Sequence, residues 1–177
     1  MREDLPIFLG AEGPKNVAMT AEIADGWLPL YYSPYRQEVY ADQIAHAKPG
    51  FEIMQGVSVV ISDDVEEALV PLKHSLALYI GGMGARDKNF YNDYAKRMGY
   101  EEAAVTIQDL YLDGKRGEAV AAVPDQLVDD VHLVGPADQI RDRLSAWKEA
   151  GAKHHVDSML IGANQPEALE LLAEELL

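Results

Sequence analysis

The chain has 177 residues, 48% hydrophobic and 25% charged, an ordinary globular composition long enough for one sizeable core. Thirty acidic residues against fifteen basic ones give a net charge of −15, which argues against tracking nucleic-acid phosphates or docking on anionic membranes. There is no cysteine, so disulfide frameworks, thiolate nucleophiles and cysteine-bound metal centres are excluded. No apolar run approaches the ~18 residues of a membrane span. The opening Met-Arg-Glu-Asp-Leu-Pro lacks the apolar core of a signal peptide, and a cytoplasmic protein is the expectation.

Leu5–Ala11 is a short apolar run and predicts a buried strand. Pro14 then opens a helix with small and apolar residues at Val17, Ala21 and Ala24, which Asp25-Gly26 ends. Gly26–Leu30 predicts a second strand, Tyr31–Tyr35 a loop, and Arg36–Ala47 a weakly amphipathic helix broken by Lys48-Pro49-Gly50. The β-branched stretch Phe51–Ser62 predicts a third strand, with a bend or bulge at Gly56. A capping box from Asp63 to Glu66 or from Asp64 to Glu67 starts a helix toward Ile80, with a kink expected at Pro71.

Gly81–Gly84 stops that helix, and helical pieces follow at Asn89–Met98, Glu101–Leu112, Gly117–Val123 and Pro124–Val131. His132–Gly135 leads into an amphipathic helix over Pro136–Ala150, with Gly151 as its stop. Val156–Gly162 predicts a fourth strand, and Gln165–Leu177 a last helix opened by Pro166. The order is strand–helix four times over in one domain spanning residues 1–177, the third connection being enlarged by a helical insertion over residues 81–134. Such alternation implies an α/β fold with a parallel sheet.

Ligands of parallel α/β folds bind at the C-terminal ends of the strands, which singles out the loops 11–16, 31–35, 62–64 and 162–165. Gly13-Pro14-Lys15 at a helix start can bring backbone N–H groups, a positive helix end and an ammonium to one spot, suiting a phosphate or carboxylate; it can equally be a plain helix start with a solvated lysine. Tyr31, Tyr32 and Tyr35 suit either a planar ligand or rim packing. Tyr79, Met83 and Phe90 flank the glycine-rich start of the insertion, as a lid or as its own small core, and Arg86 and Lys88 are its early positive charges, within possible reach of an acidic substrate. His154, His155 and Asp157 invite a metal reading, but they stand beside the start of the fourth strand, away from the active end, so no metal is expected.

Pro6–Pro29, PIFLGAEGPKNVAMTAEIADGWLP, resembles the middle of the bacterial luciferase-like monooxygenase family, whose members bind FMN or the deazaflavin coenzyme F-420. Leu76–Gly84, Asn89–Tyr100, Val123–Pro136 and Arg143–Gly151 resemble the coenzyme F-420-dependent oxidoreductase branch, and the resemblance covers nearly the whole chain. It implies the C-terminal half of a TIM (β/α)8 barrel, the four strands corresponding to the fifth through eighth and the insertion following the seventh. It also implies hydride transfer at the ring of coenzyme F-420 or FMN, with the cofactor phosphate at Gly13, Pro14, Lys15 and Asn16. Trp27 and Tyr32 would form a pocket wall, and Tyr79, Met83 and Arg86 would reach a small-molecule substrate from the lid.

The chain departs from the family in lacking the first four strands, in the Lys153-His154-His155 lead into the last strand, and in a short Arg36–Gly50 stretch. A half-barrel leaves open edge strands and an uncovered barrel side. A complete barrel typically takes ~250 residues. Three arrangements answer that problem: a piece of a longer protein that pairs with an N-terminal half, a homodimer, or a compact open unit. A non-catalytic half-barrel that only self-associates is the alternative to an enzyme.

Overall fold

The structure, a computed structural model, describes residues 5–177; the Met1–Asp4 start, read above for a leader, lies outside the described residues. Five parallel strands form one sheet: β1 (Phe8–Leu9), β2 (Gly26–Trp27), β3 (Glu52–Ile61), β4 (Leu133–Gly135) and β5 (Ser158–Gly162). The helices are α1 (Pro14–Ile23), α2 (Ala41–Ile44), α3 (Val65–Ala77), α4 (Phe90–Arg97), α5 (Glu101–Leu112), α6 (Arg116–Ala121), α7 (Asp125–Val131), α8 (Ala137–Ala152) and α9 (Pro166–Leu176). The expected α/β half-barrel architecture is therefore present: a parallel sheet with helices between its strands.

The long strand β3 organises the sheet by using its two edges differently. On one edge Glu52 N donates to Asp25 O, Ser58 N to His132 Nδ1 and Ser62 N to Gly135 O, so β2 lies beside its start and β4 beside its end. On the other edge Ile53 N donates to Asp157 Oδ2, while Asp157 N donates to Ile53 O, and β5 follows in register from Met54↔Ser158 to Ser58↔Gly162. The pairing of Gly56 with Leu160 is unbroken, so no bulge forms where Gly56 predicted one. Beyond β5, Gln165 continues the ladder with its side chain: Oε1 accepts from Ile61 N and Nε2 donates to Ile61 O, each at 2.8 Å.

Alternation along β3 sends Ile53, Gln55, Val57 and Val59 to a buried face beneath the helices. The opposite face is more open: Leu160 is 47% exposed, and a side chain at Gly56 would meet nothing within 4 Å. Among the described residues β1 pairs only with β2 and β5 only with β3, so each leaves an edge unpaired. The helices at those edges keep apolar residues in solvent, Met19 and Ile23 on α1 and Leu169 and Leu176 on α9.

Several elements differ from the sequence reading. Arg36–Ala47 forms a 3-10 turn at Gln37–Tyr40 and one turn of α2 rather than a full helix, consistent with its weak apolar stripe. The helix α3 continues through Pro71, with Asp64 accepting from Glu67 N at 3.1 Å, and then widens into a π turn at Leu78–Gly82. The helix α8 passes Gly151 and ends at Ala152. The insertion closes with β4, which periodicity cannot reveal in three residues.

Candidate functional site

The C-terminal end of β1 turns directly into α1 through Ala11-Glu12-Gly13. Gly13 has φ +83°, a conformation that side chains rarely adopt, and a Cβ there would stand 2.9 Å from the Phe90 ring of α4. Both facts require glycine. The insertion helix α4 is thereby seated on the β1–α1 turn. Glu12, Gly13, Pro14, Lys15, Asn16 and Phe90 line a cleft of roughly 370 Å³.

The four residues expected to hold a cofactor phosphate are thus brought together. Asn16 N and Val17 N both donate back to Gly13 O, and Asn16 Nδ2 donates to Glu12 O, closing the first turn on itself. Pro14 has no N–H to offer. What remains for a ligand is the Lys15 backbone N–H, the positive end of the helix and the exposed Lys15 ammonium, which makes no ion pair among the described residues. In a chain of charge −15 this leaves, among the described residues, one unpaired cation at a helix start, which suits an anionic group.

Glu12 is the residue of this turn that sequence reasoning passed over. Its Oε1 accepts from Leu30 N at 2.9 Å, tying the end of β1 to the loop after β2. Its Oε2 is shielded from solvent and has no hydrogen-bond partner among the described residues. Burial pushes the carboxyl up to about 7, against the opposing pull of the Leu30 N–H and of Arg97. The only signal in the sequence was an acid wedged between an apolar strand and a Gly-Pro turn.

Trp27 and Tyr32, expected as pocket wall, lie elsewhere: both are 0% exposed. Trp27 Nε1 donates to Ala11 O at 2.8 Å, and its ring meets Tyr32 and Tyr40 edge-on, with centroids 5.3 and 5.1 Å away. Tyr40 continues to Tyr94 of α4, and the Arg97 guanidinium lies 4.6 Å above the Tyr40 ring while donating to its hydroxyl. This aromatic stack is the core that fixes α4 against the sheet, which is why these rings are covered.

A second aromatic row stands nearby. Tyr79 packs edge-on against Tyr31 at 5.5 Å and Tyr91 at 4.9 Å, and Tyr31 also meets His132. Tyr31 holds the unusual φ of +63° and shares a 2.7 Å hydrogen bond with Ser75 Oγ. The π turn that carries Tyr79 frees carbonyls, and two buried asparagines take them: Asn89 Nδ2 donates to Tyr79 O and Ile80 O, and Asn92 Nδ2 to Ile80 O, while Asn92 Nδ2 also donates to Ala104 O of α5. Gly81 is required because the Tyr111 side chain lies 2.5 Å from where a Cβ would stand.

Of the other expected lid residues, Met83 is half exposed and Arg86 is paired with Asp109 and, at 3.8 Å, with Asp113 of the following turn. Arg86 therefore belongs to the insertion's own surface, a placement its position in a glycine-rich stretch did not disclose. His154 and Asp157 are joined at 2.9 Å at the start of β5, and the second Asp157 oxygen holds Ile53 N. That commits the carboxylate to the sheet. Among the described residues no helix is long and apolar enough to cross a membrane.

Residues 1–154 match the family model described as luciferase-like monooxygenase. The chain belongs to this luciferase-like family. A Mycobacterium tuberculosis protein provisionally named a coenzyme F-420-dependent oxidoreductase is 43% identical over 98% of the chain, which covers 51% of that relative. The 5,10-methylenetetrahydromethanopterin reductase of Archaeoglobus fulgidus is 23% identical over 98% of the chain and 54% of its own length. Among solved structures, the coenzyme F-420-dependent tetrahydromethanopterin reductase of Methanopyrus kandleri superimposes with a TM-score of 0.68 at 22% identity, over 97% of this chain and 50% of that one. An F-420-dependent secondary alcohol dehydrogenase gives 0.60 at 12% identity, over 98% and 48%. The chain spans about half the length of the relatives it matches, and the two structural likenesses speak for the fold.

Proposed function

We propose that the chain is the cofactor-anchoring, lid-bearing half of a coenzyme F-420-dependent oxidoreductase that acts on a small organic substrate. The observation that carries this reading is the 43% identity, along nearly the whole chain, to a relative named for that coenzyme. The cleft agrees with it: a helix start with an uncommitted Lys15 beside Gly13, Pro14 and Asn16 is a seat for the cofactor phosphate. When bound, the coenzyme would supply hydride transfer at its deazaflavin ring. This chain's own part is to hold the phosphate end, with Phe90 and the row Tyr31, Tyr79 and Tyr91 excluding water on the insertion side.

The open face of the sheet, with unpaired edges at β1 and β5 among the described residues and exposed Leu160, fits closure by an N-terminal (β/α)4 segment. The test is a fluorescence titration of coenzyme F-420 with the chain and with Lys15→Ala, FMN being titrated in parallel. Losing one charge-assisted contact should weaken coenzyme F-420 about tenfold. Equal binding by K15A would remove the anchor, and tighter binding of FMN would replace the cofactor. If the chain, supplied with an N-terminal half from a relative, binds neither cofactor, the non-catalytic half-barrel becomes the better account.

A further inference from the structure

The Lys153-His154-His155 lead into β5 is a part of the sequence that the cofactor cleft leaves unused. It stands at the start of β5, at the opposite end of the parallel sheet from the Gly13 turn. The helix α8 closes there with His154 N donating to Gly151 O and His155 N to Ala150 O, a pattern whose left-handed residue is normally glycine. His154 holds that place at φ +56°. The strain has little local return. The ring Nδ1 donates to Asp157 Oδ1 at 2.9 Å, but the His154 side chain is 85% exposed, and ion pairs in solvent contribute little. Asp157 is held without it, since its Oδ2 accepts from Ile53 N. Helix closure alone would be served better by glycine.

What the imidazole does reach is a cavity of roughly 350 Å³, shared with Lys48 and walled by Ile44, Ala47, Phe51 and Ile53. Lys48 Nζ donates to Asp25 Oδ1 at 2.7 Å, and the second Asp25 oxygen is taken by Ile7 N. Each basic side chain is thus oriented by a carboxylate whose other oxygen is tied to the backbone. Among the described residues each also keeps donors to spare: two hydrogens on Lys48 Nζ, and Nε2–H of a His154 ring paired through Nδ1. The two ion pairs sum to no net charge, so recognition rests on these fixed donors and on the apolar wall. Two donors beside an apolar pocket of this size match a carboxylate carried on a small hydrocarbon body. We propose that this cavity binds a small organic carboxylate, its oxygens on Lys48 Nζ and His154 Nε2 and its apolar body against Phe51 and Ile53. The site goes beyond the cofactor reading and does not depend on it.

Benzoate is the probe, and benzamide, of the same shape without the charge, is its control. Each is titrated into the full chain at about pH 6, where a histidine ring readily carries both hydrogens, and the backbone amide shifts of Gly50 and Phe51 are followed. Benzoate should give a saturable shift at these amides, and benzamide should bind about tenfold more weakly. His154→Gly supplies the residue that the helix end prefers. H154G should raise the thermal midpoint while weakening benzoate about tenfold, a pairing that a purely structural histidine would reverse: its loss would lower the midpoint and leave binding unchanged. Lys48→Gln should weaken benzoate to a similar degree, its Asp25 partner being open to water. The proposal is overturned if benzoate gives no saturable shift at these amides, or if benzamide binds as tightly. It is also overturned if H154G or K48Q binds benzoate like the wild type, or if H154G lowers the midpoint, which would return His154 to a helix-closing role.

Discussion

The Phe90 ring lies against Gly13 so closely that a methyl group on the glycine would stand 2.9 Å from a ring carbon. This contact joins the insertion to the barrel end of the molecule. It makes the shape of the cleft depend on two residues 77 positions apart in the numbering, one a backbone conformation and the other a side chain. Gly13→Ala should destabilise the protein by about 1–3 kcal/mol, because the φ of +83° and the ring both oppose the new Cβ. Adding Phe90→Ala should recover the steric part and leave the backbone part. Urea unfolding of the two single variants and the double variant measures the coupling, and strictly additive losses would contradict the contact.

His132 is a second point of leverage. Its Nδ1 accepts from Ser58 N at 3.2 Å, holding β4 to the end of β3. Burial, with a smaller push from Arg143, lowers its pKa from the ordinary 6.5 to about 4. The unfolded chain therefore takes up a proton below 6.5 that the folded chain refuses until about 4. Stability should fall as pH drops through that window, by on the order of 3 kcal/mol from this group alone. His132→Asn keeps an acceptor without the titration, so the gap in stability between pH 7 and pH 4.5 should shrink in H132N. An unchanged gap, read from urea midpoints, would mean that His132 does not set it.

The π turn at Leu78–Gly82 depends on Asn89 and Asn92. Asn89 also caps α4, accepting from Tyr91 N and Asn92 N, so its alanine variant loses two roles at once. Asn89→Asp separates them. The cap survives, but a carboxylate replaces the amide that donates to Tyr79 O and Ile80 O. N89D should cost at least as much as the about 1–3 kcal/mol of an unsatisfied buried group. Wild-type stability in N89D, measured by thermal or urea unfolding, would show that the carbonyls find other donors.

Local chemistry in the sequence was enough for most elements. The run Glu101–Leu112 has the bounds of α5, Pro14 and Pro166 open α1 and α9, and Asp64 caps α3, since periodicity and capping act within one or two turns. The Gly13–Asn16 turn was legible for the same reason: its chemistry sits in consecutive residues. Burial and pairing between distant segments were not. Only the tertiary structure decided that Trp27 and Tyr32 are covered by α4 and its neighbours, that Arg86 is spent on Asp109, and that three residues at Leu133–Gly135 make a strand beside β3. The sequence by itself determined that 177 residues of strand–helix alternation with a charge of −15 form an α/β unit with one local cationic turn. What the fold added is the environment of Glu12, because desolvation depends on which surfaces meet, and no spacing along the chain records that.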